Sequence, residues 1–293
     1  RWTEWNFGGE LTGPGGNINA HTQLKNYWNF HWGVNINGEG LSSAELRGGP
    51  ALKVTGTKNM WFAFGSNDQK RLTGEAQFMV LGGNENNSKK MFDCGISFGY
   101  RPSKNLKITL SPNFNKNNDE MQYVTQQDYS NKTDYIFARI HQRTLSASLR
   151  INYIITPNLS IQYWGQPFLA SGKYTEFKRI TNSRANKYTD RFALLGGNEL
   201  VYNAAGEIYQ VSDLTGNQLY TFDQPDFNFK EFLSNMVIRW EYLPGSTIYL
   251  VWSQNRNQSV ANGSFHFRDD LNDLFNEKPY NVFLVKMSFR LGR

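Results

Sequence analysis

The sequence predicts an all-β chain, folded as an antiparallel transmembrane β-barrel, on three observations. Its segments alternate apolar and polar residues with a period of two, so each strand carries one greasy face and one polar face. Its connectors alternate between tight turns and long polar loops, the pattern of periplasmic turns and extracellular loops. No apolar run reaches the about 18 residues that a membrane-crossing helix needs. The mean hydropathy of −0.59 does not oppose a barrel, because half of each strand is polar.

The elements follow in order. A first strand is predicted at about residues 2–11, and GPGGN (13–17) reads as a tight turn. Residues 18–37, INAHTQLKNYWNFHWGVNIN, alternate almost without fault and read as one strand. That is several times the usual strand of about 5–6 residues, and too long for a soluble sheet. Further alternating runs begin near residues 57, 71, 90, 106, 144, 159, 230, 246 and 281. Tight turns are predicted at SNDQK (66–70), RPSKN (101–105), TPN (156–158) and LPGS (243–246), on Gly, Pro, Asn and Asp. Long polar connectors cover 38–56, 82–88, 117–139, 171–230 and 256–280, with room for a hairpin at 199–222. No segment of about 12 residues or more keeps a helical period.

The count is about eleven strands, with the first starting on the extracellular side. Bacterial single-chain barrels have even strand numbers. An odd count, in a chain that begins at Arg1 without a signal peptide, predicts the C-terminal part of a larger barrel.

Alternation also assigns the faces. Trp28, Phe30, Trp32, Leu149, Ile151, Ile238, Trp240, Phe283, Val285 and Met287 are predicted to face lipid. His21, Lys25, His31, Arg150, Arg239, Lys286 and Arg290 are predicted to face a lumen. Trp2, Trp5, Trp61, Tyr100, Tyr163, Tyr242 and Trp252 fall near strand ends and read as interfacial girdles. Alternating apolar residues ending in Phe289 and Leu291 read as the signal for barrel-assembly machinery, which pairs an exposed edge before closure.

Chemistry is sparse. The net charge is +6, but Lys and Arg are spread singly rather than clustered, which argues against a nucleic-acid partner. One cysteine, Cys94, excludes an internal disulfide. His21, His31, His141 and His266 make no HExxH, and no CxxC occurs, so no metal or other cofactor is predicted. On a single strand, His21 and His31 would stand about 30 Å apart at about 3.3 Å per residue, too far to share an ion. Asp269, Asp270, Asp273 and Glu277 crowd one loop without ordered calcium-ligand spacing and read as solvated. No GxSxG is present, and a lipid hydrolase would need its Ser/His pair on the outer wall. The chain is expected not to be an enzyme.

Several stretches carry a resemblance. They are ELRGGPAL (45–52), FGYRPSKNLKITLSP (98–112), QYVTQQ (122–127), IFARIHQRTLSASLRINYIITPNLSIQYWGQPFLASGKYTEFKRI (136–180), FDQPDFNFKEFLSNMVIRWEYLPGSTIYLVW (222–252) and NVFLVKMSFRLG (281–292). In this order they resemble the C-terminal barrel portion of a Bacteroidota outer-membrane family, a domain of unknown function numbered 5916. The resemblance implies a barrel that usually follows a family-9-like carbohydrate-binding module, which is not in this sequence. The expected role is therefore a membrane anchor or channel in the bacterial outer membrane, linked to glycan binding or uptake. Its expected partners are the lipid bilayer and lipopolysaccharide, the assembly machinery, and envelope proteins or glycans at the loops. A structural subunit of a larger secretion, uptake or assembly complex is the alternative; a hydrolase stands third.

Overall fold

The structure is a computed structural model and describes residues 1–85 and 88–291. Its strands are β1 (Trp2–Trp5), β2 (Leu11–Gln23), β3 (Asn29–Asn37), β4 (Gly40–Ser42), β5 (Leu52–Val54) and β6 (Thr57–Gly65). Then come β7 (Leu72–Gly83), β8 (Lys89–Ser103), β9 (Leu106–Tyr129), β10 (Lys132–Thr156), β11 (Leu159–Ile180) and β12 (Phe192–Leu194). The last are β13 (Leu200–Asn203), β14 (Ile208–Ser212), β15 (Gln218–Asp223), β16 (Phe227–Leu243), β17 (Ser246–Val260) and β18 (Tyr280–Ser288), with an α-helix, α1 (Phe267–Asn276), and a short 3-10 helix at Tyr188–Asp190. Among the described residues no helix is long and apolar enough to cross a membrane.

Thirteen strands form one antiparallel sheet, ordered β1-β2-β3-β6-β7-β8-β9-β10-β11-β16-β17-β18, with β12 beside the end of β11. Neighbours in space are neighbours in sequence or are separated only by insertions, the topology of a meander. Among the described residues β1 and β18 do not pair, so this wall is an open sheet rather than a closed barrel.

The 18–37 run is not one strand but a hairpin. β2 and β3 pair antiparallel around residues 24–28, with His21 opposite His31 and Ile18 opposite Val34. Leu24 donates to Trp28 O, Tyr27 donates to Leu24 O, and Tyr27 takes the left-handed φ of 66° that closes the turn. Opposed residues here are both even or both odd, so the alternation passes through the turn without a break. The two strands therefore look like one in sequence.

GPGGN is not a turn either, but lies within β2. The first turn is at residues 6–10 instead, where Asn6 and Glu10 bond to each other. The glycines admit side chains of β1: a Cβ on Gly15 would stand 2.4 Å from the Trp2 ring.

The hairpin raises the path to twelve strands. An even number of antiparallel strands makes β1 run opposite to β18, that is, from the short-turn side toward the other end, although its four residues pair only with Leu11–Gly15 of β2. The parity argument for a missing upstream strand therefore falls. The turns predicted near 66–70, 101–105, 156–158 and 243–246 all lie between paired strands at this end. Of the 82–88 connector, residues 86 and 87 lie outside the described residues.

The opposite end is far more built than a set of loops. Residues 117–139 are not a connector: β9 and β10 run 24 and 25 residues and meet at Ser130–Asn131, whose φ values of 44° and 60° suit a two-residue hairpin turn. The 171–230 span holds the end of β11 and a three-stranded sheet β13-β14-β15, where a two-stranded hairpin was expected. The 38–56 span holds the β4–β5 hairpin, and 256–280 holds α1, whose 10 residues were too few to give a readable period.

Together these parts make a head above the wall, and it contains both buried apolar clusters of the described residues. Ile136 and Ala138 of β10 pack with Phe177, Leu195, Val211, Tyr220 and Phe222. Phe137, pointing the other way, packs with Leu46 and Leu52. Three consecutive buried residues mean that β10 is covered on both faces here, by β13–β15 and by β4–β5.

Arg191 ties the head together. It is almost fully buried and donates to Ala185 O, Lys53 O, Asn186 O and Glu39 Oε1. We predict that Arg191→Ala, which strands these acceptors, destabilises the head by about 3 kcal/mol. Faster amide exchange at residues 39–54 and 181–191, with the β7–β9 wall unchanged, is the expected readout.

Candidate functional site

The wall below the head presents two unlike faces. Phe30 and Trp32 on β3, Leu149 and Ile151 on β10, Ile238 and Trp240 on β16, and Phe283, Val285 and Met287 on β18 share the apolar face. Many large side chains of this face are exposed, among them Ile18 at 70% and Phe283 at 75%, while Trp32, Leu149, Ile151 and Ile238 are half-buried. Trp28 is the exception, because it belongs to the β2–β3 turn.

The other face is a field of hydrogen-bonding side chains. Asn35 Nδ2 donates to Asn59 Oδ1 (2.7 Å), Asn115 Nδ2 to Asp93 Oδ2 (3.1 Å) and Asn235 Nδ2 to Ser253 Oγ (2.7 Å), while the Ser97 and Ser111 hydroxyls meet at 2.9 Å. Arg150 lies over the Trp164 ring at 5.9 Å, and Arg239 pairs with Glu241 at 2.9 Å. A depression of about 600 Å3 runs across this face from β3 to β9, lined by His31, Glu75, Gln77, Ser97, Ser111 and Asn113 among others. His21, His31, Arg150, Arg239 and Lys286 lie on this face. Lys25 does not, being in the turn, and Arg290 lies past β18, where its backbone N–H donates to Ser246 Oγ. Phe289 and Leu291 also follow β18 rather than forming part of it.

The register brings His21 and His31 together. Their Nδ1 atoms are 2.8 Å apart and their ring centroids 4.9 Å, which overturns the separation expected for a single strand. Trp61, read from sequence as a girdle residue, sits opposite Gly33 on the polar face, with its ring 6.3 Å from that of His21. Asp93 lies on the polar face as the alternation of its run predicts, and Glu75 and Trp164, not singled out by the sequence, join it through the register.

Charges concentrate in the head. Glu120 accepts from Arg139 Nη2 (3.1 Å) and Tyr188 OH (2.9 Å), and Lys178 Nζ lies 3.5 Å from the same carboxylate while donating to Glu120 O. Lys178 is fully buried; burial pushes its pKa down and Glu120 opposes that shift. Burial, then the Glu120 charge, pushes the Tyr188 phenol up. The buried Tyr220 hydroxyl donates to Asp134 Oδ2 (2.6 Å) and is pushed up by burial and by that bond.

The acidic loop cluster is not simply solvated. Asp270 and Asp273 of α1 hold Lys230 at 3.3 and 2.7 Å, and Asn228 also donates to Asp270. Among the described residues no group of three or more His, Cys, Asp or Glu is arranged to hold a metal ion.

These features define a class: a two-faced antiparallel β-wall carrying a structured head at one end. The chain belongs to the family described as domain of unknown function DUF5916, whose model matches residues 8–291. No curated protein matches it. One solved structure, titled "NanC porin structure in rhombohedral crystal form", aligns over 95% of this chain and 94% of its own at 9% identity and a TM-score of 0.29.

Two predictions concern the head. Glu120→Gln removes the charge shared by Arg139, Lys178 and Tyr188, and is expected to destabilise the head by about 3 kcal/mol in denaturant melts. Asp213 accepts from Thr215 and Asn217, which hold its carboxyl down at about 2 against a usual 3.8. A depressed carboxyl stabilises the fold above its unfolded pKa, and that contribution disappears as pH falls through the folded value. The β14–β15 turn should therefore fray between about pH 4 and pH 2, read by amide exchange at residues 213–217; Asp213→Ala should remove this pH dependence.

Proposed function

We propose that the chain is an integral outer-membrane β-wall whose apolar face meets lipid and whose polar face lines a water-filled path for small polar solutes, with the head outside. One observation carries this reading. Every buried apolar cluster among the described residues lies in the head, while the wall's large apolar side chains are exposed or only half-buried. In water that face would cost about 25 cal/mol for each Å2 left uncovered. A bilayer covers it without any further protein layer. Apart from the four-residue edge strand β1, the shortest strands along the path, β3, β6 and β18, have 9 residues each, which is the crossing length of a tilted transmembrane strand. The family resemblance adds a link to glycan uptake in a Bacteroidota outer membrane.

A second reading, a structural subunit of a larger envelope assembly, draws on the two unpaired sheet edges, β1 and β18. In that case other strands would continue the wall on either side.

Reconstitution tests the lipid face. In vesicles with brominated acyl chains, Trp240 fluorescence should be quenched, and Ile238→Arg should lower stability by about 2–4 kcal/mol while Asn235→Arg is tolerated. A chain that stays in solution without detergent, with no bromine quenching, would end the proposal. Conductance of the isolated chain in planar bilayers favours the path; insertion with conductance only alongside partner proteins favours the subunit.

A further inference from the structure

His21 and His31 sit in directly opposed positions on β2 and β3, fixed by the flanking pairs Ala20–Trp32 and Thr22–Phe30. Such a pair carries its Cβ atoms about 5 Å apart, so two imidazoles pointing off one face must meet. They meet through like nitrogens, Nδ1 to Nδ1 at 2.8 Å. In neutral rings that contact needs one Nδ1–H donor and one bare Nδ1 acceptor, and so two different tautomers. His21 is exposed and His31 is half-buried, with solvent within reach of the pair. A hydrogen bond in that setting contributes little, because water competes for each partner.

We propose that this pair is a two-imidazole site for a divalent transition-metal ion of tetragonal preference, Cu(II) or Ni(II). With metal–nitrogen bonds of about 2.0–2.1 Å, nitrogens 2.8 Å apart subtend about 85° at the metal. That is the angle between neighbouring ligands in a square-planar or octahedral ion. A tetrahedral zinc site would need the nitrogens about 3.3 Å apart. On binding, the donor ring moves its proton from Nδ1 to Nε2 through solvent, so both rings ligate through Nδ1 as Nε2–H tautomers. No proton is gained or lost overall. Water, or a polar solute on this face, completes the coordination shell.

A Cβ on Gly33 would stand 2.2 Å from Asn19 Oδ1 and 2.5 Å from Trp61 Nε1. The bare glycine thus lets the amide and the indole lie beside the two rings. The pair lies next to the β2–β3 turn, at the short-turn end of the polar face. The site depends on the β2–β3 register and not on what the apolar face touches, so it stands apart from the membrane reading.

The full chain in detergent, titrated separately with Cu(II), Ni(II) and Zn(II) chloride, tests the site. Calorimetry should give one equivalent of Cu(II), bound more tightly than Ni(II) and both more tightly than Zn(II). Copper spin resonance should give a tetragonal signal with two nitrogen couplings. H21N and H31N should each weaken Cu(II) binding at least tenfold, with far-ultraviolet dichroism unchanged because neither side chain is part of a buried cluster. Bound Cu(II) should quench tryptophan fluorescence saturably, and W61F should reduce that quenching while leaving the calorimetric equivalent intact. Copper binding that persists undiminished in the H21N/H31N double variant would overturn the proposal, as would absence of stoichiometric binding or a preference for Zn(II).

Discussion

Below the head, the wall is a single sheet with nothing from the described residues packed on its apolar face, and the rest of the structure depends on that constraint. A lone sheet has its backbone ladder but no core. It is stable only where something covers the apolar side, which in the reading proposed here is lipid. This explains the strict alternation, the 9-residue lengths of β3, β6 and β18, and exposed side chains such as Phe283 and Ile18. Above the wall, in the reading proposed here, the medium is water on all sides, and the rule reverses. There the chain must cover its own strands, and Ile136, Phe137 and Ala138 are buried in succession by two separate pieces of structure.

The wall was legible in sequence because one medium imposes one pattern. The alternation at 92–100, 106–114, 144–155 and 281–288 falls within strands, and turn-forming residues separate most of them. The same pattern hid the β2–β3 hairpin, since its opposed residues share parity and Leu24–Trp28 interrupts nothing in the alternation. It also hid the histidine pair, which only the third dimension brings together. The polar run from Asn115 to Glu120 looked like a loop because sequence reading equates loss of an apolar face with loss of the strand. In the head a strand needs no such face, so β9 continues. α1 was invisible for another reason: it is held by Lys230 from β16, a contact no local pattern encodes.

The head is organised by charge as much as by apolar contact. Glu120 collects Arg139, Lys178 and Tyr188 from three separate segments, and Arg191 collects acceptors from two more. Such networks contribute little net energy compared with apolar packing, but an arrangement that leaves one member unpaired is costly. They therefore select one arrangement of long insertions that apolar contact alone would leave free to slide.

The strands β9, β10 and β11 pass from the wall into the head without a break in pairing other than bulges. Their 22 to 25 residues exceed a membrane crossing by about 12, or about 40 Å at about 3.3 Å per residue. A pull on the head along these strands is therefore borne in shear by many ladder bonds at once, whereas a pull across them would open the bonds one after another. If the wall is set in a membrane as proposed, the head is a mast stepped through the deck, and tension applied to it reaches the strands that carry the polar face.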